Sequence, residues 1–238
     1  MDLLLNNHKS FCRLADGEFS IIRGESMAFQ EYDPKLAERL SGILQSYDDK
    51  CYVGLDSRYF HSTSNLLDKE KKFVRSQGRI MREVMEKFCN RKKLYIEASI
   101  TCFYLHSPKN YSIPEYTVHY EKIKQLFKNK KLAIFSGRTV FDNIKFNVFE
   151  YATERRHIFT ESKNAWRYYN EIISAAMQIP KDFTLCFILG PTATVLAYDL
   201  AQKGYTAWDI GHIAKDYDLF MKNRGKDSQD ALKFFDPD

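Results

Sequence analysis

Short apolar runs rich in β-branched and aromatic residues alternate along this chain with longer stretches whose apolar residues recur at three- and four-residue spacing. That alternation restricts the fold, because strands separated by a helix pair in parallel and need a layer of helices against each face of their sheet. Strands are read at Ser10–Leu14, Cys51–Leu55, Leu94–Ile100, Lys131–Ser136, His157–Thr160, Phe183–Leu189 and Thr206–Ile210. Between them, Pro34–Gln45 reads as a helix: Asp33 can cap it, Pro34 suits its first position, and Leu36, Leu40, Ile43 and Leu44 form one stripe. Asn164–Ile179 repeats the pattern through Ala165, Tyr168, Tyr169, Ile172, Ile173 and Ala176, and a third helix runs from Thr192 to Gln202 with Gly204 as terminator. The expectation is an α/β protein, a Rossmann-like α/β/α sandwich with a mostly parallel sheet. No internal repeat or Pro/Gly/Ser-rich linker divides the chain, so a single domain spanning residues 1–238 is expected.

Hydrophobic residues make up 44% of the 238 positions and aromatics 15%, enough for a large core and contrary to the composition of a disordered chain. The net charge of +5 is spread over short groups such as Lys69–Lys72, Arg91–Lys93 and Lys128–Lys131. Nothing matches a helix-turn-helix, zinc-finger or RNA-recognition signature, so no nucleic-acid partner is expected, while the mild excess suits a phosphate-bearing ligand or an anionic surface. The five cysteines are odd in number and form no C-x-x-C pair, and they read as reduced core residues. The start MDLLLNNHKS turns polar after three leucines, and no run approaches the roughly 18 apolar residues of a membrane span, so a cytoplasmic protein is expected.

Parallel α/β sheets carry their ligands beyond the C-terminal ends of the strands, which directs attention to the loops there. After the first strand come Asp16, Gly17 and Glu18: either two hard oxygen ligands for Mg²⁺ or Mn²⁺, or a tight Asp-Gly turn followed by a solvated glutamate. Gly190, Thr192 and Thr194 open a helix after a very apolar strand and suit either a phosphate seat or a plain threonine cap. Ser136 and Arg138 follow another strand, the arginine able to grip phosphate with two N–H groups. Lys163 and Asn164 follow the fifth strand, Asn164 as cap or as nucleotide contact. Last, His212 stands with Asp216 and Asp218 as a candidate general base, phosphate donor or metal ligand.

Together RLADGEFSIIRG, AFQEYDPKLAERL, SKNAW, GPTATVLAYDLAQKGY and DIGHIAKDYDLF occur in an order and spacing that resembles the bacterial GT-D glycosyltransferases, over roughly Ser10 to Phe220. The resemblance implies a GT-D-type fold and transfer of a hexose from a nucleotide sugar, typically a UDP-sugar, to a glycan or glycoprotein. It implies Mn²⁺ or Mg²⁺ near a D-x-E motif that falls on Asp16 and Glu18, with Arg13, Gly17 and the loops above around the donor. The family's terminal histidine and acidic positions correspond to His212, Asp216 and Asp218, which makes these three the candidates for the base. A protein of this kind is expected in surface polysaccharide or glycoprotein biosynthesis, with peripheral contact to the inner membrane face and self-association as further expectations. Two other classes compete: a Rossmann-like NAD-dependent or nucleotide-sugar-modifying enzyme, and a non-catalytic basic binding module. The first would place a glycine fingerprint after the first strand, where this chain is acidic; the second would bind DNA or lipid with strong salt dependence.

Overall fold

Seven strands, all parallel, form one sheet in the order β3-β2-β1-β7-β6-β4-β5. They are β1 (Ser10–Leu14), β2 (Cys51–Leu55), β3 (Ile96–Glu97), β4 (Lys131–Ser136), β5 (Glu154–Phe159), β6 (Phe183–Ile188) and β7 (Thr206–Asp209). The helices are α1 (Asp2–Asn7), α2 (Asp16–Ile22), α3 (Pro34–Gln45), α4 (Asp68–Phe88), α5 (Phe103–His106), α6 (Ile113–Phe127), α7 (Tyr169–Met177), α8 (Pro191–Gln202) and α9 (Ile213–Met221). The structure is a computed structural model and describes residues 1–7, 9–107, 112–223 and 231.

Side chains leave a strand on alternate faces, and the two faces of this sheet are buried in two separate cores. Cys12 and Leu14 of β1, Ala133 and Phe135 of β4, and Leu185 and Phe187 of β6 lie in one core with α2, α3, α4, α7 and α8. Phe11, Leu132, Ile134, Cys186 and Trp208 lie in the other with α5, α6 and α9. The stripe read from the sequence, Leu36, Leu40, Ile43 and Leu44, is the buried face of α3. Asp33 caps that helix by accepting from the Lys35 and Leu36 amides at 2.8 and 3.1 Å, a contribution of about 1 kcal/mol. Gly204 stands just beyond α8 at φ +79°.

Three elements differ from expectation. The strand expected over Leu94–Ile100 reduces to Ile96–Glu97, because the Glu97 carboxylate accepts from the Ser99 amide at 2.8 Å and turns the chain into a 3-10 turn at Ala98–Thr101. β5 begins three residues before the expected His157: it is the sheet's edge strand, and Glu154, Arg155 and Arg156 there hide it from a hydrophobic reading. The helix expected from Asn164 starts later, after a 3-10 turn at Ala165–Tyr168, because Asn164 is fixed at φ +54° with its N–H on the Phe29 carbonyl at 2.7 Å. All five cysteines carry free thiols. Among the described residues no helix is long and apolar enough to cross a membrane.

Candidate active site

The segments that follow β1, β7, β6 and β4, four neighbours in the sheet, pack alternately on opposite faces: α2 and α8 on one, α9 and the 3-10 turn Val148–Tyr151 on the other. Each reversal opens a crevice at the strands' C-terminal ends, the place where parallel sheets bind ligands. Asp16, Glu18, Ser136, Gly190 and Asp209 all stand at this edge.

Asp16 and Glu18 occupy the first turn of α2, where the positive end of the helix dipole favours acids. Glu18 reaches back to the Ala15 amide through Oε2 at 2.8 Å, as the third residue of a capping box does. Desolvation, then the Asp209 charge, pushes its carboxyl up to about 7. Asp16 keeps access to solvent, yet the protein around it also raises its pKa through desolvation, with Asp56 adding to the effect and Arg58 and Arg13 opposing it. Two crowded acids that resist ionisation fit a hard divalent cation. Among the described residues no group of three or more His, Cys, Asp or Glu is gathered to hold a metal, so two protein carboxylates would leave positions for phosphate oxygens and water.

Arg13, on the β1 face toward α9, is the brace behind this loop. Its Nη2 donates to Asp209 Oδ1 at 2.9 Å and its Nε to the Asp209 carbonyl at 3.3 Å. Asp209 is 2% exposed and also accepts from the Gly211 amide at 3.2 Å. The Thr194 hydroxyl lies 2.8 Å from the Arg13 carbonyl and 3.2 Å from Asp209 Oδ2, so it ties α8 to both strands. Gly211 sits at φ +43°, and a Cβ there would lie 2.6 Å from Arg13 Cζ. His212 follows, its ring 6.3 Å from that of Phe29. Desolvation, then the Arg13 and Lys215 charges, lowers its pKa to about 3, so the imidazole is neutral at physiological pH.

A second buried ion pair flanks the loop on its other side. Asp56, directly after β2, is 2% exposed and accepts from the Arg58 amide and Nε at 2.9 Å each, while Arg58 also pairs with Glu70 of α4. The Arg58 charge reaches Asp16, and the neighbouring buried Tyr59 hydroxyl has no hydrogen-bond partner among the described residues. Sequence reasoning missed Asp56, Arg58 and Tyr59. The rule that found the other loops, polar residues directly after a strand, applies equally to LDSRY.

The remaining candidates divide. Gly190 is the residue before α8 at φ +54°, and Thr192, fully buried, has a hydroxyl without a partner among the described residues. Neither threonine caps the helix, so the capping alternative fails. Asn164 makes no cap either: its side chain accepts from the Glu31 amide at 2.7 Å and clasps the segment between α2 and α3. Ser136 is buried with its hydroxyl on the Gly137 carbonyl. Gly17 and Gly137 are both closely covered, by Met27 and Ser162. Arg138 and Lys163 are exposed, the Arg138 guanidinium 5.3 Å from the centre of the Phe159 ring. The acidic pair lacks the access a base requires. Asp216 is 1% exposed and accepts from the Tyr104 and Leu105 amides at 2.9 and 3.3 Å and from the Tyr120 hydroxyl at 2.7 Å. Asp218 accepts from the Lys145 and Phe146 amides at 2.9 Å each and pairs with Lys222. Both carboxylates are consumed in bracing α9.

Fold and crevice define a doubly wound α/β protein whose first loop is acidic where a dinucleotide-binding protein carries glycines. Residues 11–233 match the model of the family described as glycosyltransferase GT-D fold, and the chain belongs to that family. A solved domain described as having a distinct glycosyltransferase fold is 30% identical, superimposes with a TM-score of 0.85, and matches over 94% of this chain and 79% of its own. A structure described as a new glycosyltransferase from Streptococcus sanguinis is 29% identical with a TM-score of 0.88, over 100% of this chain and 89% of its own. The probable glycosyl transferase Gly of Streptococcus gordonii is 29% identical over 93% of this chain, and glycosyltransferase GlyD of Streptococcus pneumoniae is 26% identical over 95%. The chain spans only 32% and 27% of the length of these two relatives.

Proposed function

We propose that the chain transfers a hexose from a nucleotide sugar, a UDP-sugar first among candidates, to a glycan or glycoprotein acceptor, with Mn²⁺ or Mg²⁺ held by Asp16 and Glu18. The observation that carries this reading is the pair of crowded carboxylates on the first turn of α2, flanked by two buried Arg–Asp pairs at the binding edge of a GT-D fold. Transfer joins the acceptor oxygen to the anomeric carbon as the bond from that carbon to the diphosphate breaks, and negative charge grows on the departing diphosphate. A bound divalent cation would neutralise part of that charge. The chain's own residues do the rest. The α8 N-terminal amides, reached over Gly190 and beside the unpartnered Thr192 hydroxyl, seat phosphate. Arg138 and Lys163 supply outer positive charge, and His212, kept neutral, offers a ring nitrogen to the donor without adding charge. A nucleotide-sugar donor fits a cytoplasmic setting, and the net charge of +5 suits contact with the anionic inner face of the membrane.

The test is release of nucleoside diphosphate from a panel of nucleotide sugars with Mn²⁺, in the wild type and in Asp16→Ala and Glu18→Ala. Both variants are expected to keep the wild-type far-ultraviolet circular dichroism and lose transfer. Full activity in both removes the metal assignment.

A further inference from the structure

A glycosyl transferase must hold an acceptor beside its donor. A cavity of about 590 Å³ opens along the β3 edge of the sheet between β2, β3 and α4. Leu55, Met85, Cys89, Tyr95 and Ile96 wall it, with Phe60 on its outer side. Its volume falls within the range of small-molecule sites, which are apolar with a few polar groups at fixed places. The polar groups lining it are Ser57, Glu86, Arg91 and Glu97. A second hollow of about 470 Å³ includes Gln202 and Lys203 at the end of α8, and so lies toward the edge of the sheet remote from the donor loops.

The β3-edge cavity is joined to the donor loop by a single turn. Asp56, Arg58 and Tyr59 face Asp16, whose charge acts on the Tyr59 phenol and receives that of Arg58. Ser57 and Phe60, on the same turn, line the cavity. The turn is held rigid from three sides, by the Asp56–Arg58 pair, by Glu70 of α4, and by Glu97, whose Oε2 accepts from the Ser57 amide at 3.3 Å. Tyr95 is fixed as well, its hydroxyl donating to the Leu44 carbonyl. Phe60 is 57% exposed on this anchored turn, so its ring face is open to a ligand at the cavity.

We propose that this cavity is the acceptor subsite and that it takes the apolar aglycone of a glycoside, with the acceptor sugar ring laid against Phe60 at the mouth. Aliphatic walls around a concave space exclude a bare polar sugar from the interior and favour an aryl or alkyl group there. The exposed phenyl face suits the C–H face of a pyranose, and Ser57, Glu97 and Arg91 are placed to bond its hydroxyls. The assignment rests on the transfer reaction proposed above.

The probes are p-nitrophenyl β-D-glucoside and methyl β-D-glucoside, which differ only in the aglycone. Binding is measured by saturation-transfer NMR and calorimetry on the wild type, Phe60→Ala and Phe60→Trp, all without donor. The aryl glycoside is expected to bind about tenfold tighter than the methyl glycoside, Phe60→Ala to weaken both about tenfold with that preference kept, and Phe60→Trp to leave both unchanged. In the transfer assay, Phe60→Ala is expected to raise the KM for the aryl acceptor about tenfold while leaving the donor KM unchanged. Equal binding of the two glycosides, or binding of both that Phe60→Ala leaves unchanged, overturns the subsite. A donor KM that shifts together with the acceptor KM overturns it too, since the turn would then serve the donor. Aryl binding that depends on Phe60, with no diphosphate released from any nucleotide sugar, refutes the transfer reaction instead and with it the acceptor role, leaving a glycoside-binding cavity.

Discussion

Replacing Gly211 by alanine tests whether the Arg13–Asp209 pair is the brace of the site. The residue stands at φ +43°, where any side chain other than hydrogen costs about 1–2 kcal/mol. The added Cβ would also lie 2.6 Å from Arg13 Cζ, so the guanidinium must leave its place. That place is a 2.9 Å ion pair in which the arginine side chain is 16% and the aspartate 2% exposed, and breaking a pair so buried costs about 3–5 kcal/mol. Some contact survives a displacement, so Gly211→Ala is expected to lose about 3–5 kcal/mol in urea denaturation. The decisive measurement is the same substitution in an Arg13→Ala background, where nothing remains to collide with. There it should cost only the backbone part, about 1–2 kcal/mol, giving a coupling of about 2 kcal/mol. Equal losses in both backgrounds, within about 0.5 kcal/mol, would show that the glycine serves the backbone alone and that the arginine is not held in place by its absence of a side chain.

Asp216→Asn leaves one carbonyl oxygen to satisfy three donors and is expected to cost about 3 kcal/mol in urea denaturation, with donor affinity measured by calorimetry unchanged; a large fall in donor affinity with intact stability would return Asp216 to the active site. Glu18→Gln tests the raised carboxyl in the metal-free protein. The folded state holds the Glu18 proton up to about 7 against an ordinary value of 4.5, so this contribution to stability is complete below 4.5 and lost as pH rises through 7. In urea denaturation the variant should match the wild type in stability near pH 4.5 and exceed it by about 2 kcal/mol at pH 8, and a constant difference would refute the burial argument. His212 runs the other way, its contribution present above 6.5 and lost as pH falls toward 3, and the substitution at Glu18 leaves it untouched.

How much of this was readable from the chain depends on the reach of each interaction. β1, β2 and β4 begin and end where expected because a run of apolar residues between polar flanks is a local signal. Asp33-Pro34 marks the start of α3 for the same reason, since cap and capped amides lie within three residues. Asn164 shows the limit. Its neighbours in sequence describe a capping residue, but its amide bonds to Glu31, 133 positions away. Asp216 and Asp218 resemble exposed acids two residues apart on a helix, yet their partners lie 111, 112 and 72 positions off, and those partners decide that both are buried. Arg13 was placed at the site through family likeness alone, because its mate Asp209 is 196 residues distant.

The two buried Arg–Asp pairs explain why so much acid can be packed at one edge of the sheet. Asp56 adds to the raised pKa of Asp16, and Asp209 and Asp16 to that of Glu18, and a fold that left all four acids unpaired would lose its charge there or unfold. Arg13 and Arg58 compensate the two deepest, Asp209 and Asp56, each 2% exposed. That leaves the shallower pair, Asp16 and Glu18, without an arginine of their own. A buried ion pair is weak support for stability compared with apolar packing of the same volume, so its value to the protein lies in orientation. Arg13 is locked by Asp209 against the void over Gly211, and Arg58 by Asp56 and Glu70. The uncompensated negative charge is thereby confined to the first turn of α2, open to solvent at Asp16, which is where a cation arriving with a diphosphate would complete the balance.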